Sequence, residues 1–155
     1  ESLLKRARVT VTPAQMLALS TAPALLLSAP GPGKVIQVLE ALVYNPATGT
    51  QYTESSINTV LEYTGGVDIT LALEGTSGAV VSAAGTPAVQ RFILGNTATT
   101  VYALVPNEGV QWLSPSGDFA AGTNPIDVLL TYRVIDLLNS NSAQASVAYG
   151  TSVAV

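Results

Sequence analysis

Hydrophobic and polar residues alternate along most of this chain with the two-residue period of a half-buried β-strand. The alternation is clearest on either side of Gly65-Gly66, where it predicts a β-hairpin. In the long β-rich segment 34–44 it shifts near Glu40, which predicts a β-bulge or a strand covered on both faces. Further segments with strand character are 24–29, 88–94, 99–105, 110–113 and 126–134.

A single short helix is predicted near the N-terminus. Thr12 and Gln15 form a capping-box pattern, and Pro13 suits the first helical position. We therefore expect a helix over 13–20, with Met16 on its apolar side. Two roles stay open for this apolar side: it caps one end of the body, or it docks on a neighbouring subunit.

The pattern divides the chain into three parts. Residues 1–11 are interpreted as an N-terminal arm, 12–138 as a single body and 139–155 as an extended C-terminal tail. About eight strands separated by turn residues, with almost no helix, are typical of a β-sandwich or jelly roll. No internal repeat favours a solenoid or a propeller. The expected fold is therefore all-β, with one domain.

Charge is scarce and unevenly placed. Only 10% of the 155 residues are charged, while 48% are hydrophobic. Lys5, Arg6 and Arg8 are three of the six bases, so the first eight residues carry +2 of a net charge of −4 and the rest carries −6. Such a body is a poor nucleic-acid binder, because phosphate contacts need clustered bases. A small domain with so little charged surface favours contacts with copies of itself or with other subunits.

The mean hydropathy of +0.41 raises the question of a membrane segment. The longest apolar stretches, 24–27, 35–44 and 126–138, are short or interrupted by polar and charged residues. None reaches the roughly 20 apolar residues that cross a bilayer, so we expect no membrane partner. A secretory signal also fits poorly, because prolines interrupt the apolar region that follows the basic N-terminus.

The sequence contains no histidine and no cysteine, which excludes a Ser-His-Asp triad, a cysteine nucleophile and an iron–sulfur cluster. A carboxylate pair remains conceivable, since Glu62 and Asp68 flank the predicted hairpin, but solvated charges on an exposed strand face are the expected arrangement. Oxygen ligands for calcium are conceivable at Asp118, Asn124 and Asp127, although a plain turn is favoured. We therefore expect no catalytic residue, no metal and no cofactor.

Two aromatic residues, Tyr52 and Trp112, are candidates for a surface that faces a ligand such as a sugar. Aromatic residues make up only 6% of the chain, and most of them fall on apolar strand faces. Packing in the core is therefore the favoured interpretation for both, with a ligand-facing position as the alternative.

The segments 12–19, 22–23 and 29–36 resemble a group of small virion proteins of tailed bacteriophages. In these proteins a Thr-Pro-x-x-x-Leu-x-Leu turn precedes an Ala-Pro-Gly-x-Gly-Lys strand opening, and both patterns are present here. The similarity covers roughly residues 1–45 and is weaker at 61–63. The resemblance implies a β-rich, often trimeric capsid decoration (cement) protein on the outside of the virion, with the major capsid protein and copies of itself as partners.

The expected function is a non-enzymatic, structural one at the capsid surface, in which extended ends reach neighbouring subunits. The alternative is a receptor- or carbohydrate-binding module of a tail fibre or baseplate. A hydrolase that uses two carboxylates is the least favoured hypothesis. Residues expected to contact other subunits are Lys5, Arg6, Arg8, Val9, Val11, Met16, Val147, Tyr149 and Val153.

Overall fold

The computed structural model describes residues 3–53, 58–74, 85–95 and 102–137. Within these ranges the chain forms two antiparallel four-stranded sheets that contribute to one hydrophobic core, which confirms the all-β sandwich prediction. The elements are β1 (Lys5–Val11), α1 (Pro13–Met16), β2 (Ala24–Leu27), β3 (Lys34–Asn45), β4 (Asn58–Tyr63), β5 (Leu73–Glu74), β6 (Ala88–Arg91), β7 (Val110–Leu113) and β8 (Ile126–Asp136).

The first sheet has the strand order β1-β8-β3-β6, and the second has the order β2-β7-β4-β5. The long strands β3 and β8 pair from Lys34↔Asp136 to Tyr44↔Asp127 and form the centre of the first sheet. Their register shifts between Val38 and Glu40, which confirms the predicted bulge. The extra residue lies on β3, so β8 continues without interruption.

The hairpin at Gly65-Gly66 is confirmed. The N–H of Tyr63 donates to the carbonyl of Val67 at 2.9 Å, and Gly66 has a φ of +87°, a conformation that favours glycine. The return segment pairs less regularly than predicted, because the N–H of Leu71 donates to the carbonyl of Ile93 at 2.8 Å. It thus leaves β4 and rejoins it only at β5.

Residues 5–11 form an edge strand and not the predicted free arm. All seven residues of β1 pair with β8, from Lys5↔Tyr132 to Val11↔Ile126. Val11 is buried, and Ala7 and Val9 pack against the core. The cluster of bases that suggested an arm therefore belongs to a strand with one buried face.

The helix α1 is shorter than predicted and ends at Met16. Its capping box is confirmed, since Thr12 Oγ1 accepts from the N–H of Gln15 and Gln15 Oε1 accepts from the N–H of Thr12. Residues 17–20 form turns, and Leu19 reaches the core. Among the described elements, no helix has the length and apolar character needed to cross a membrane.

The predicted strand 99–105 is not formed where the structure describes it. Residues 102–105 are not in a strand, while 96–101 lie outside the described residues, as does the tail 139–155 with Val147, Tyr149 and Val153.

The predicted strand 110–113 coincides with β7, whose Trp112 contacts Phe92 edge to face with ring centroids 6.1 Å apart.

Candidate functional site

The oxygen-bearing residues considered as calcium ligands are each engaged in separate structural hydrogen bonds. Asp118 accepts from the N–H of Ser20 at 2.6 Å, and Asn124 Oδ1 accepts from the N–H of Gly49 at 2.5 Å. Asp127 belongs to a third cluster, with Arg8. Over the described ranges no group of three or more acidic residues is arranged to hold a metal ion.

Glu62 and Asp68 do face each other across the hairpin, as the sequence predicts. Glu62 is not solvated as expected, because it is only 8% exposed and accepts a hydrogen bond from Gln111 Nε2 at 2.6 Å. Burial raises the pKa of the Glu62 carboxyl; the hydrogen bond from Gln111 opposes this shift, and the charge of Asp68 adds to it. Glu62 therefore acts as an acceptor that links β4 to β7 in the second sheet.

The alternative in which Tyr52 and Trp112 face a ligand is wrong, because their exposed fractions are 1% and 0%. The hydroxyl of Tyr52 donates to the carbonyl of Asn124 at 2.5 Å, and burial raises the pKa of Tyr52 to about 12. Both rings belong to the core cluster, as the favoured interpretation of their apolar strand faces indicated.

The predicted contact residues separate into buried and exposed groups. Val11 and Met16 are buried in the core, so neither side chain is available to a neighbouring subunit, and Met16 takes the first of its two open roles. Val9 is half-buried against the core. Lys5, Arg6 and Arg8 are exposed on β1. Only the basic residues of this N-terminal set therefore offer a free surface.

The register of the first sheet brings all four arginines of the chain to one face. Val128 and Leu130 of β8 point into the core, so the alternate residues Leu129, Thr131 and Arg133 lie on the outer face. Residues paired across neighbouring strands share a face: Arg6 pairs with Thr131, Arg8 with Leu129, and Arg91 of β6 with Leu42 of β3. We call this surface the arginine face; it consists of Arg6, Arg8, Arg91 and Arg133 together with Leu42, Leu129, Thr131, Glu40 and Asp127.

Asp127 is held tightly within the arginine face. Its Oδ2 accepts from Arg8 Nε at 3.0 Å and from Arg8 Nη2 at 2.5 Å, and its Oδ1 accepts from the Thr10 hydroxyl at 2.6 Å. Burial favours a raised pKa for this carboxyl, but the hydrogen bonds from Arg8 and Thr10 and the charge of Arg8 outweigh it and hold the pKa below its usual range. Asp127 therefore fixes Arg8 in place on the sheet.

The other arginines are less constrained. Arg91 lies 3.3 Å from Glu40, but the two side chains are 68% and 42% exposed, so this ion pair contributes little to stability. Arg133 Nε donates to Gln37 Oε1 at 2.6 Å. Arg6 is exposed, and within the described part of the chain it has no hydrogen-bond or ion-pair partner.

A shallow depression of about 470 Å³ lies on the arginine face. Arg6 and Arg8 of β1 line one side, Glu40 and Leu42 of β3 line the other, and Leu129 and Thr131 of β8 lie between them. The depression thus combines free positive charge with apolar side chains, a combination suited to binding a protein segment.

Sequence reasoning singled out Arg6 and Arg8 but missed Arg91 and Arg133. The spacing of Arg6 and Arg8, two residues apart in an alternating segment, was a usable signal for one strand face. Arg91 and Arg133 join them only through the pairing of strands that are far apart in the chain. No local pattern reveals that arrangement.

Replacing Asp127 with asparagine is expected to destabilise the protein at pH 7 by about 1–3 kcal/mol, since charged hydrogen bonds to Arg8 and Thr10 are weakened. The pKa of Asp127 is lower in the folded state than in the unfolded state. The ionised carboxylate therefore stabilises the fold fully above the unfolded-state pKa, and this stabilisation is lost as the pH falls through the folded-state pKa. Urea unfolding of both proteins from pH 7 to pH 2 measures the difference, which should shrink in acid. A difference that is constant with pH would contradict this role.

The fold and surface together define a β-sandwich with an arginine-rich outer face. No protein-family model matches the sequence, and no curated protein matches it. Among solved structures, the chain is similar to the capsid asymmetric unit of cyanophage Pam1, with 14% identity, 85% of each chain covered and a TM-score of 0.48. At this identity and TM-score the similarity assigns no function to the chain.

Proposed function

We propose that this chain is a non-enzymatic structural protein of a phage particle that binds and stabilises the capsid exterior as a cement (decoration) subunit. Its partners are the major capsid protein and copies of itself in a homotrimer. The N-terminal sequence resemblance to small virion proteins of tailed phages supports the choice of a capsid. The surface of the sandwich supports a role in binding other subunits.

The observation that carries the proposal is the position of the exposed apolar side chains. Five of the seven large hydrophobic residues that are exposed in the described ranges lie on or next to edge strands. Sheet edges present unpaired backbone groups, and soluble monomers usually protect them with charges or prolines. Apolar residues at three of the four edges favour contact with other protein surfaces. These five are Leu3 and Leu4 before β1, Leu25 on β2, Val89 on β6 and Ile93 just after β6.

The carbohydrate-binding alternative has no specific support. It requires an exposed aromatic platform, and the two aromatic residues considered for it, Tyr52 and Trp112, are buried. The hydrolase hypothesis requires two carboxylates beside a substrate cleft. Glu62, the buried member of the facing pair, is instead engaged with Gln111.

The proposal predicts saturable co-sedimentation of the purified full chain with shells of the major capsid protein encoded in the same genome. Replacing Leu3 and Leu4 together with serine is expected to weaken this binding at least about tenfold, because burying a leucine contributes about 1.5–3 kcal/mol. Both residues precede β1 and are exposed, at 72% and 67%, so the fold should remain intact.

Val67→Ser is the matched control, because Val67 is an exposed apolar residue in the hairpin turn and not at a sheet edge. Its binding to shells should equal that of the wild type. Failure of the wild-type chain to bind shells would contradict the proposed function. Equal binding by all three proteins would contradict the role of the Leu3–Leu4 edge.

A further inference from the structure

We infer that the arginine face is a docking surface for an extended acidic segment of the shell protein, with two carboxylates at alternate positions that pair with Arg6 and Arg8. An apolar side chain of the same segment would rest in the depression against Leu42 and Leu129. This inference deepens the proposed function and rests on it for the identity of the partner.

Charge complementarity selects an acidic occupant. The arginine face carries four arginines against Glu40 and Asp127, which is an excess of two positive charges in a chain with a net charge of −4. Asp127 is already engaged by Arg8 and Thr10 and is only 5% exposed, so it does not screen Arg6. Arginine also binds carboxylates in a two-pronged geometry that lysine cannot provide.

The spacing on β1 selects an extended occupant. Arg6 and Arg8 are two residues apart on one strand, so their backbone positions are separated by about 7 Å. Carboxylates at alternate positions of an extended segment have the same separation. Arg6 has a free guanidinium within the described part of the chain, and the Arg8 side chain is 65% exposed although it contacts Asp127. Arg6 can therefore receive a carboxylate with its whole guanidinium, and Arg8 can receive one through the N–H groups that Asp127 does not occupy.

The depression favours a protein over a nucleic acid. Leu42 and Leu129 lie on adjacent strands, where they pair directly and give the depression an apolar centre. Glu40 lines its far side with a side chain that is 42% exposed, which would repel a phosphate backbone. An acidic peptide tolerates this carboxylate because only the β1 side of the depression needs to receive its charges.

The test uses two fluorescent peptides and the full chain. The probe is a threonine-rich heptapeptide with glutamates at positions two and four, and its partner has glutamine in place of both glutamates. Fluorescence anisotropy at low salt should show saturable binding of the glutamate peptide and at least tenfold weaker binding of the glutamine peptide. Equal binding of the two peptides would overturn the inference.

Arg6→Glu should weaken binding of the glutamate peptide at least tenfold, and Arg6→Gln should have a smaller effect of the same sign. Lys5→Glu is the matched control: it makes the same charge change on the neighbouring residue of β1, whose side chain belongs to the opposite side of the strand. It should change binding less than twofold. Equal losses in Arg6→Glu and Lys5→Glu would overturn the inference, since they would indicate attraction by net charge alone.

Two further measurements test the other occupants. Tighter binding of a duplex DNA oligomer than of the glutamate peptide would overturn the inference in favour of a nucleic acid. Self-association in sedimentation velocity that Arg6→Glu abolishes would overturn it in favour of a second copy of the chain. Wild-type behaviour of Arg6→Glu in self-association, together with weak DNA binding, supports the acidic segment.

Shell binding separates this inference from the proposed function. If wild-type chain and Arg6→Glu bind shells equally well, the arginine face is not the docking surface and the proposed function stands. If wild-type chain fails to bind shells but binds the glutamate peptide in an Arg6-dependent way, the proposed function fails and the arginine face still recognises acidic segments.

Discussion

Deletion of residues 1–11 is expected to unfold the protein, because these residues include the whole of β1. The deletion removes the buried side chain of Val11 and the partly buried Ala7 and Val9 from the core. It also removes both side chains that stabilise the charged form of Asp127, namely Arg8 and Thr10. An arm that only reaches a neighbouring subunit would behave differently, since its loss would leave the body folded.

The size of the effect follows from the lost interactions. Val11 alone contributes about 1.5–3 kcal/mol by burial, and the hydrogen bonds that Arg8 and Thr10 donate to Asp127 are lost as well. The pairing of seven residues with β8 is lost in addition. Because a domain is stable by only about 5–15 kcal/mol in total, the deletion removes a large share of its stability.

Deletion of residues 1–4 is the matched control, because it ends just before β1. This variant should keep the circular dichroism spectrum and unfolding midpoint of the full chain, while the longer deletion loses the cooperative transition. The shorter deletion should also weaken shell binding, since it removes Leu3 and Leu4. A folded 12–155 protein with wild-type stability would show that β1 is dispensable.

Local sequence patterns were sufficient to predict the structural features that depend on residues close together in the sequence. The capping box of Thr12 and Gln15, the hairpin at Gly65-Gly66 and the bulge beside Glu40 all arise within a few residues. The strand 110–113 was correct at both ends because its apolar alternation is bounded by turn residues. In each case local chemistry and the final fold agree, so the pattern is a reliable guide.

The features that sequence reasoning missed depend on distant partners. An edge strand and a free arm have the same local pattern at 5–11, and only the pairing with β8, more than a hundred residues later, distinguishes them. The arginine face has the same origin, since Arg91 and Arg133 join Arg6 only through the register of four strands. The hydrogen bond that Glu62 accepts from Gln111 likewise depends on the pairing of β4 with β7.

The second large effect is expected for Trp112→Ala, which should destabilise the protein by about 3–5 kcal/mol. Trp112 is 0% exposed, and its ring contacts Phe92 edge to face across the core. Replacement by alanine leaves a cavity that the rigid pairing of β7 with β2 and β4 prevents from closing. If Trp112 were a ligand platform on the surface, the same change would leave stability almost unaltered.

Trp112→Phe distinguishes the loss of packing from the loss of the indole. Phenylalanine retains an aromatic ring against Phe92 and removes the Nε1–H, which is buried without a hydrogen-bond partner among the described residues. Trp112→Phe should therefore lower the free energy of unfolding by less than half as much as Trp112→Ala, since only part of the contact volume is lost and no satisfied polar group is removed. Urea unfolding followed by circular dichroism measures both variants, and acrylamide quenching of the wild-type tryptophan reports its exposure independently. Efficient quenching together with an unchanged unfolding midpoint in Trp112→Ala would show that Trp112 is exposed and would favour the ligand-binding alternative. Weak quenching together with a large loss of stability would show that Trp112 belongs to the core that holds β7 in place.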